Sequence, residues 1–133
     1  MRHFSTLVVD DVEDFRRLLR SILEESTECE VVGEASDGLQ AVAKAEQLQP
    51  DLVLLDLGLP KINGIEVARR IRNLSPQSKI LFVTQNSCQE IAQGALRTGA
   101  NGYLLKAEAT DLPIAVETII RGEQYVSGRL KQA

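Results

Sequence analysis

Five polar residues stand at or directly after the ends of short apolar segments, and their side chains could do chemistry together. They are Asp10, Asp11, Asp56, Thr84 and Lys106. Three carboxylates in one place would repel each other, because each pair at about 4 Å costs on the order of 4 kcal/mol at an effective dielectric constant of about 20. The cluster therefore needs a cation. An all-oxygen acidic site suits a hard cation, and Mg²⁺ bound by carboxylates, waters and phosphate oxygens fits best.

Such a site would also attract a phosphoryl group that the bare acids would reject. The ammonium of Lys106 and the hydroxyl of Thr84 suit the oxygens of that group. Asp56 follows the longest apolar segment as a single acid, so it is the best candidate for a nucleophile that forms an aspartyl phosphate. Asp10 and Asp11 come as a pair, as metal ligands do. Each residue alone could be a turn former or a helix cap, and only the combination favours a shared site.

The elements that would position these residues follow from the hydrophobic pattern. Short segments of consecutive apolar residues, without alternating polar residues, are typical of strands buried on both faces of a parallel sheet. The segments between them, such as Val12–Leu23, have helical spacing. Five repeats of strand and helix predict an α/β fold, an open, doubly wound parallel sheet of five strands. The repeats do not fix the strand order, and we expect the flavodoxin-like order 2-1-3-4-5 because it is the common one for five strands. Ligands of such sheets bind at the carboxyl ends of the strands.

Composition excludes several classes of protein. A chain of 133 residues with 44% hydrophobic and 26% charged residues predicts one globular domain. The net charge of −4 argues against binding of nucleic-acid backbones, and no apolar run is long enough to span a membrane. His3 is the single histidine, which excludes Ser-His-Asp triads and multi-histidine metal sites. Cys29 and Cys88 have no metal-ligand spacing, so we expect a reducing, cytoplasmic location.

The order and spacing of four motifs resemble the receiver domain of bacterial two-component response regulators, over nearly the whole chain. The motifs are Asp10-Asp11 after Leu-Val-Val, the segment 56–64 (DLGLPKING), Thr84 after Ile-Leu-Phe-Val, and the segment 99–106 (GANGYLLK). The resemblance implies that Asp56 accepts a phosphoryl group from a phosphohistidine of a sensor histidine kinase. It also implies Mg²⁺ ligation by Asp11, Asp56 and the backbone carbonyl of Gly58, with Asp10 assisting through water.

The resemblance further implies a conformational switch. Lys106 would contact the phosphoryl group, Thr84 would move to hydrogen-bond it, and Tyr103 would swing inward as the switch aromatic. These movements would remodel the face formed by the fourth helix, fifth strand and fifth helix, for homodimerisation or for an effector domain, and the output would be control of transcription. The alternative for Tyr103 is an ordinary half-exposed aromatic residue on the last strand.

Gln85 departs from the family pattern, which usually has a small residue directly after the threonine. A long side chain there could obstruct the phosphodonor or tune the lifetime of the aspartyl phosphate. The main alternative to a phosphorylated switch is therefore a receiver-like binding module that works without phosphorylation, because Gln85 obstructs the pocket.

Two enzyme or carrier classes share parts of the pattern. A magnesium-dependent phosphatase of the haloacid dehalogenase type needs a second acid two residues after its nucleophile, where this chain has Gly58. A flavodoxin needs a phosphate loop rich in Ser and Thr after the first strand, where this chain has the anionic segment 10–14 (DDVED). We therefore expect a signalling module and not an enzyme.

The C-terminal residues predict what lies beyond the receiver. Residues 1–124 are expected to form the domain, and residues 125–133 to begin a linker. The segment 122–127 (GEQYVS) is similar to the exit of LuxR-type receivers, in which a helix-turn-helix domain follows. We therefore expect a receiver cut from a longer regulator, with DNA binding only through the missing C-terminal domain.

Overall fold

The structure, a computed structural model, describes residues 3–131 as alternating strands and helices. The strands are β1 (Phe4–Val9), β2 (Cys29–Ala35), β3 (Leu52–Leu55), β4 (Lys79–Thr84), β5 (Gly102–Leu105) and β6 (Tyr125–Val126). The helices are α1 (Glu13–Ser26), α2 (Gly38–Leu48), α3 (Gly64–Leu74), α4 (Gln89–Leu96), α5 (Leu112–Ile120) and α6 (Gly128–Lys131), with a 3-10 helix over Lys106–Asp111. None of the described helices combines the length and apolar character that a membrane crossing requires.

All strands pair in parallel, in the order β2-β1-β3-β4-β5-β6. The predicted order of the first five strands is confirmed, but the predicted number of strands is wrong because β6 extends the sheet. Tyr125 pairs with Gly102, and Val126 pairs with Tyr103. A strand of two residues has no periodicity to read, so only its hydrogen bonds to the neighbouring strand reveal it.

The segment from residue 125, where the sequence predicts the start of a linker, packs against β5. The Ser127 amide donates to the Tyr103 carbonyl (2.9 Å), and the Ser127 hydroxyl accepts from the Leu105 amide (2.8 Å). Leu130 is buried, and its carbonyl accepts from the side-chain amide of Gln89 (2.6 Å). The fold thus continues past residue 124, while a linker and an effector domain after it stay predictions.

The core consists of two apolar layers, one on each face of the sheet. Successive residues of β1 alternate between them, with Leu7 and Val9 in one layer and Val8 in the other. The first layer packs against α2, α3 and α4, and the second packs against α1 and α5. The strands β3, β4 and β5 and the second half of β1 are therefore covered on both faces, as their continuous apolar runs predict.

Candidate functional site

The carboxyl ends of four neighbouring strands bring the predicted site residues to one edge of the sheet. Asp10 and Asp11 follow β1, Asp56 follows β3, Thr84 ends β4, and Lys106 follows β5. The Asp56 amide donates to the Val9 carbonyl (3.2 Å), which continues the ladder between β1 and β3 by one residue. This last bond sets Asp56 beside the Asp10–Asp11 pair.

Asp10, Asp11 and Asp56 form an acidic cluster. One carboxylate oxygen from each lies within 4.8 Å of the others. Asp10 is 1% exposed and Asp56 is 7% exposed, while Asp11 is exposed to solvent. The Lys106 Nζ lies 2.7 Å from Asp10 Oδ2 and 3.2 Å from Asp56 Oδ2. Among the described residues, Lys106 pairs with two of the three carboxylates, so the cluster keeps a surplus of negative charge.

Lys106 stays charged in this environment. Burial is the largest influence on the pKa of its amine and lowers it, but the close ion pair with Asp10 (2.7 Å) and the charge of Asp56 together raise the pKa above its ordinary value. The ammonium also lies 4.5 Å from the ring centroid of Phe15, where a cation–π contact favours the charged form. Lys106 can therefore offer a fixed positive charge to an anion.

The residues of the acidic cluster fit a small hard cation. Asp10 Oδ1 accepts from the Val12 amide (2.9 Å). Asp10 Oδ2 is buried and has its ion pair with Lys106, but it accepts no hydrogen bond of good geometry from the described residues. A buried carboxylate oxygen with unused acceptor capacity, next to two further carboxylates, is the donor set that Mg²⁺ prefers.

A cleft of about 780 Å³ opens over this edge of the sheet. Its walls include most of the predicted site residues, namely Asp11, Asp56, Gly58, Thr84 and Lys106, together with Gln85. Asp10 lies buried beneath the cleft. Gln85 is exposed and forms part of the wall, so the cleft stays open beside it. A small phosphorylated molecule could therefore reach Asp56.

The loop after Asp56 depends on a close approach of two backbone segments. The Gly64 amide donates to the Leu57 carbonyl (2.9 Å), and a Cβ at Gly64 would collide with the carbonyl oxygen of Asp56. The Asn63 side chain accepts from the Glu66 amide (3.0 Å) and caps α3. Gly64 therefore lets α3 begin directly against the strand end that carries Asp56.

Tyr103 is linked to Thr84 through the loop that follows β4. The Asn86 amide donates to the Thr84 hydroxyl (3.3 Å), and the Tyr103 hydroxyl donates to the Asn86 carbonyl (2.7 Å). Tyr103 is 0% exposed, so the alternative of a half-exposed aromatic residue is wrong. Burial is the main reason that its pKa is raised to about 12, with smaller contributions from Cys88 and Asp56. The ring thus occupies an inward position.

Sequence reasoning missed two residues that contact this site. Asn86 joins Thr84 to Tyr103 through its backbone, which no side-chain pattern encodes. Arg16 of α1 donates to the carbonyl of Asp10 (2.7 Å) and to Glu34 of β2 (2.9 Å). Arg16 and Glu34 lie 18 residues apart in the sequence, so no local motif links them. The only sequence signal for Arg16 is that it is a charged residue within the partly buried stripe of α1.

The chain matches the family described as "Response regulator receiver domain" over residues 6–117. The chain belongs to this family. The match covers β1 through most of α5 and includes every residue of the acidic cluster, as well as Thr84, Tyr103 and Lys106. The predicted family is therefore confirmed.

Relatives of this receiver domain include regulators that are longer than the chain. It is 36% identical over 121 residues to "Transcriptional regulatory protein DegU" of Brevibacillus brevis, covering 90% of the chain and 51% of that protein. It is 38% identical over 125 residues to "Nitrate/nitrite response regulator protein NarL" of Escherichia coli strain K12, covering 93% of the chain and 58% of that protein. The chain thus spans about half the length of these curated relatives.

A solved structure supports the same assignment for the receiver domain. A two-component response regulator of the LuxR family from Aurantimonas sp. SI85-9A1 superposes with a TM-score of 0.93 at 32% identity, covering 98% of this chain and 94% of that chain. The superposition covers 98% of this chain, and α5 ends at Ile120, so the superposed part extends into the segment that follows α5. The predicted likeness to LuxR-type receivers is confirmed.

Proposed function

We propose that this receiver domain is a phosphoacceptor switch in which Asp56 takes a phosphoryl group from a phosphohistidine of a sensor histidine kinase. The observation that carries the proposal is the position of Asp56. Its carboxylate lines an open cleft, 3.2 Å from the Lys106 ammonium and within 4.8 Å of two further carboxylates. Asp56 is largely buried and contacts Lys106 and the Gly58 amide, but it also lines the cleft, where a ligand has space to approach it.

In the transfer step, a carboxylate oxygen of Asp56 forms a bond to phosphorus while the bond from phosphorus to the imidazole nitrogen breaks. The imidazole leaves with the electron pair of that bond and takes up a proton. Lys106 holds its positive charge against the phosphoryl oxygens, where negative charge increases. Asp11, Asp56 and the Gly58 carbonyl would hold Mg²⁺, with Asp10 assisting through water, and the ion would supply positive charge to the phosphoryl oxygens.

The switch would act through the contacts between Thr84, Asn86 and Tyr103. A phosphoryl group on Asp56 offers strong acceptors to the Thr84 hydroxyl, which now accepts from the Asn86 amide (3.3 Å). Movement of Thr84 would shift this loop, and with it the carbonyl that holds the Tyr103 hydroxyl. The covalent group would thereby bias two arrangements of α4, β5 and α5.

This switch would control an output and would not act as a turnover enzyme. The remodelled face would serve homodimerisation or an effector domain in a longer cytoplasmic protein. DegU is named as a transcriptional regulatory protein, which supports control of transcription as the output. The C-terminal helix-turn-helix domain that would bind DNA is part of the proposal. The described residues would not bind DNA themselves, in keeping with the net charge of −4.

The proposal is tested by incubating the purified domain with acetyl phosphate and Mg²⁺ and measuring its intact mass. We expect the mass of one phosphoryl group to be added, and the addition to be lost in Asp56→Asn and in the presence of a chelator. If the folded protein binds Mg²⁺ but gains no mass, the phosphorylation-independent module is the better account. Gain of mass in Gln85→Ala alone would then assign the obstruction to Gln85.

A further inference from the structure

Arg16 joins the turn that carries Asp10 and Asp11 to a different strand of the sheet. One guanidinium nitrogen donates to the Asp10 carbonyl (2.7 Å), and Nε donates to Glu34 Oε1 (2.9 Å). The second oxygen of Glu34 is held by Arg20 (2.8 Å). Two hydrogen bonds therefore fix the Arg16 guanidinium, and Arg20 in turn fixes Glu34, its partner on β2.

The bond to the Asp10 carbonyl acts on the peptide unit that leads into Asp11. A peptide unit is planar, so a hydrogen bond that fixes its oxygen also fixes the orientation of the N–Cα bond of Asp11. On the opposite side of the turn, Asp10 Oδ1 accepts from the Val12 amide (2.9 Å). The side chain of Asp11 has no hydrogen bond or ion pair with the described residues, so the backbone alone aims its carboxylate at the other two.

We propose that Arg16 is a positioning residue for the cation site and that Glu34 holds its guanidinium in place. The inference rests on the proposed function to the extent that the acidic cluster binds Mg²⁺. A guanidinium can donate to a carbonyl and to a carboxylate at once in a fixed plane, which the point charge of a lysine cannot reproduce. Residues that orient metal ligands typically change metal affinity when they are removed.

Electrostatics and positioning predict opposite signs for the removal of Arg16. If Arg16 acted only as a nearby positive charge, its loss would reduce repulsion and tighten the binding of Mg²⁺. If it positions Asp11, its loss weakens binding, because Asp11 must then be ordered by the ion itself. Arg17 is the matched control, because it lies one position further along α1 and its side chain is 72% exposed, against 16% for Arg16.

The experiment is a Mg²⁺ titration of wild type, Arg16→Gln and Arg17→Gln, followed through the backbone amide resonances of Asp11 and Asp56. We expect the Kd for Mg²⁺ to rise about tenfold in Arg16→Gln and to change less than about twofold in Arg17→Gln. Arg16→Lys keeps the charge but loses the two-ended contact, so its Kd should resemble that of Arg16→Gln. It also serves as the second variant if Arg16→Gln does not fold.

Coupling to Glu34 is tested by a double-mutant cycle. Glu34→Gln should raise the Kd in the wild-type background and have a smaller effect in the Arg16→Gln background, because the two residues act as one unit. Equal effects in both backgrounds would contradict the role assigned to Glu34.

The inference and the proposed function fail in different ways. Unchanged or tighter Mg²⁺ binding by Arg16→Gln and Arg16→Lys, with wild type binding normally, would overturn only the role of Arg16. Absence of binding by wild type would count against the metal site of the proposed function. The positioning role of Arg16 is then tested in metal-free protein by hydrogen exchange at the Val12 amide. Exchange should be faster in Arg16→Gln than in Arg17→Gln, and equal rates would reject the positioning role.

Discussion

The two ends of the sheet differ in how their polar groups are partnered. At the amino end, Asp51 Oδ2 accepts from the amide and the hydroxyl of Ser5 (2.9 and 3.3 Å), while the Asp51 amide donates to the Ser5 carbonyl (2.9 Å). Buried Ser75 and Ser78 share a hydrogen bond between their hydroxyls (2.6 Å). At the carboxyl end, Asp10 and Asp56 share Lys106, Asp11 has no ion pair with the described residues, and Asp10 Oδ2 keeps unused acceptor capacity.

The difference separates a structural role from a functional one within a single sheet. At the amino end, Asp51 and the hydroxyls of Ser5, Ser75 and Ser78 have hydrogen-bond partners inside the protein, so these groups contribute to stability. The carboxyl end is left with surplus negative charge that an external cation can balance, and this costs stability while it creates a binding site. Substitutions at the two ends should therefore change the free energy of unfolding in opposite directions.

The largest effect is expected at the amino end. Asp51→Ala should lower the free energy of unfolding by about 2 kcal/mol, because it leaves the Ser5 amide and hydroxyl without their acceptor. Urea denaturation of the metal-free protein measures the change. Asp14→Ala is the control, since its side chain is 92% exposed, and it should cost less than about 0.5 kcal/mol. Equal losses in the two variants would remove the contrast between the ends.

A smaller change of the opposite sign is expected at the carboxyl end. Asp11→Asn removes one of three mutually repelling carboxylates, so in a chelating buffer it should raise the free energy of unfolding by about 1 kcal/mol. Mg²⁺ at ten times its Kd should stabilise wild type by about 1.4 kcal/mol and the variant by less. The same urea titrations, with and without Mg²⁺, measure both effects. If Asp11→Asn were less stable than wild type in chelator, repulsion among the three carboxylates would not be what lowers the stability of the metal-free protein.

The smallest effect concerns how far the charge of the acidic cluster reaches into the interior. In Tyr125→Phe, which leaves Tyr103 as the single tyrosine, the absorbance of tyrosinate should titrate with a pKa of about 12. Because this pKa lies above the unfolded value of about 10, the stabilisation from the neutral hydroxyl is complete below pH ~10 and is lost as the pH rises towards 12.

Adding Asp56→Asn to Tyr125→Phe should lower the pKa of Tyr103 slightly, since the charge of Asp56 is the smallest of the three causes that raise it. An unchanged Tyr103 pKa would show that the charge of the acidic cluster acts only at its own edge of the sheet. A Tyr103 pKa near the ordinary value would instead mean that the ring is not buried in solution.

Much of the fold and most of the site residues were predictable because they depend on local pattern. The apolar runs before Asp10, Asp56, Thr84 and Lys106 predict buried parallel strands, and parallel strands place their carboxyl ends at one edge. The structure brings these residues together at that edge. The number of strands was not predictable, because β6 owes its existence to hydrogen bonds with β5 and not to any periodicity of its own.

Contacts between distant segments were beyond the reach of the sequence. Arg16 is one of three arginines in α1, and its position in the partly buried stripe of the helix does not reveal which groups it contacts. Only the packing of α1 over β1 and β2 sets Arg16 against the Asp10 carbonyl and Glu34. The burial of Tyr103 has a similar origin, since Leu130 of the C-terminal segment joins the same apolar layer.

The sequence by itself therefore determined the α/β class with alternating strands and helices and the identities of Asp10, Asp11, Asp56, Thr84 and Lys106 as candidates for a shared site. These follow from hydrophobic periodicity and from the type of residue at each strand end. The tertiary structure decided the sixth strand, the inward position of Tyr103 and the clamp of Arg16 on the Asp10 carbonyl. Each of these depends on which segments become neighbours in space, and that is settled by packing of the whole domain.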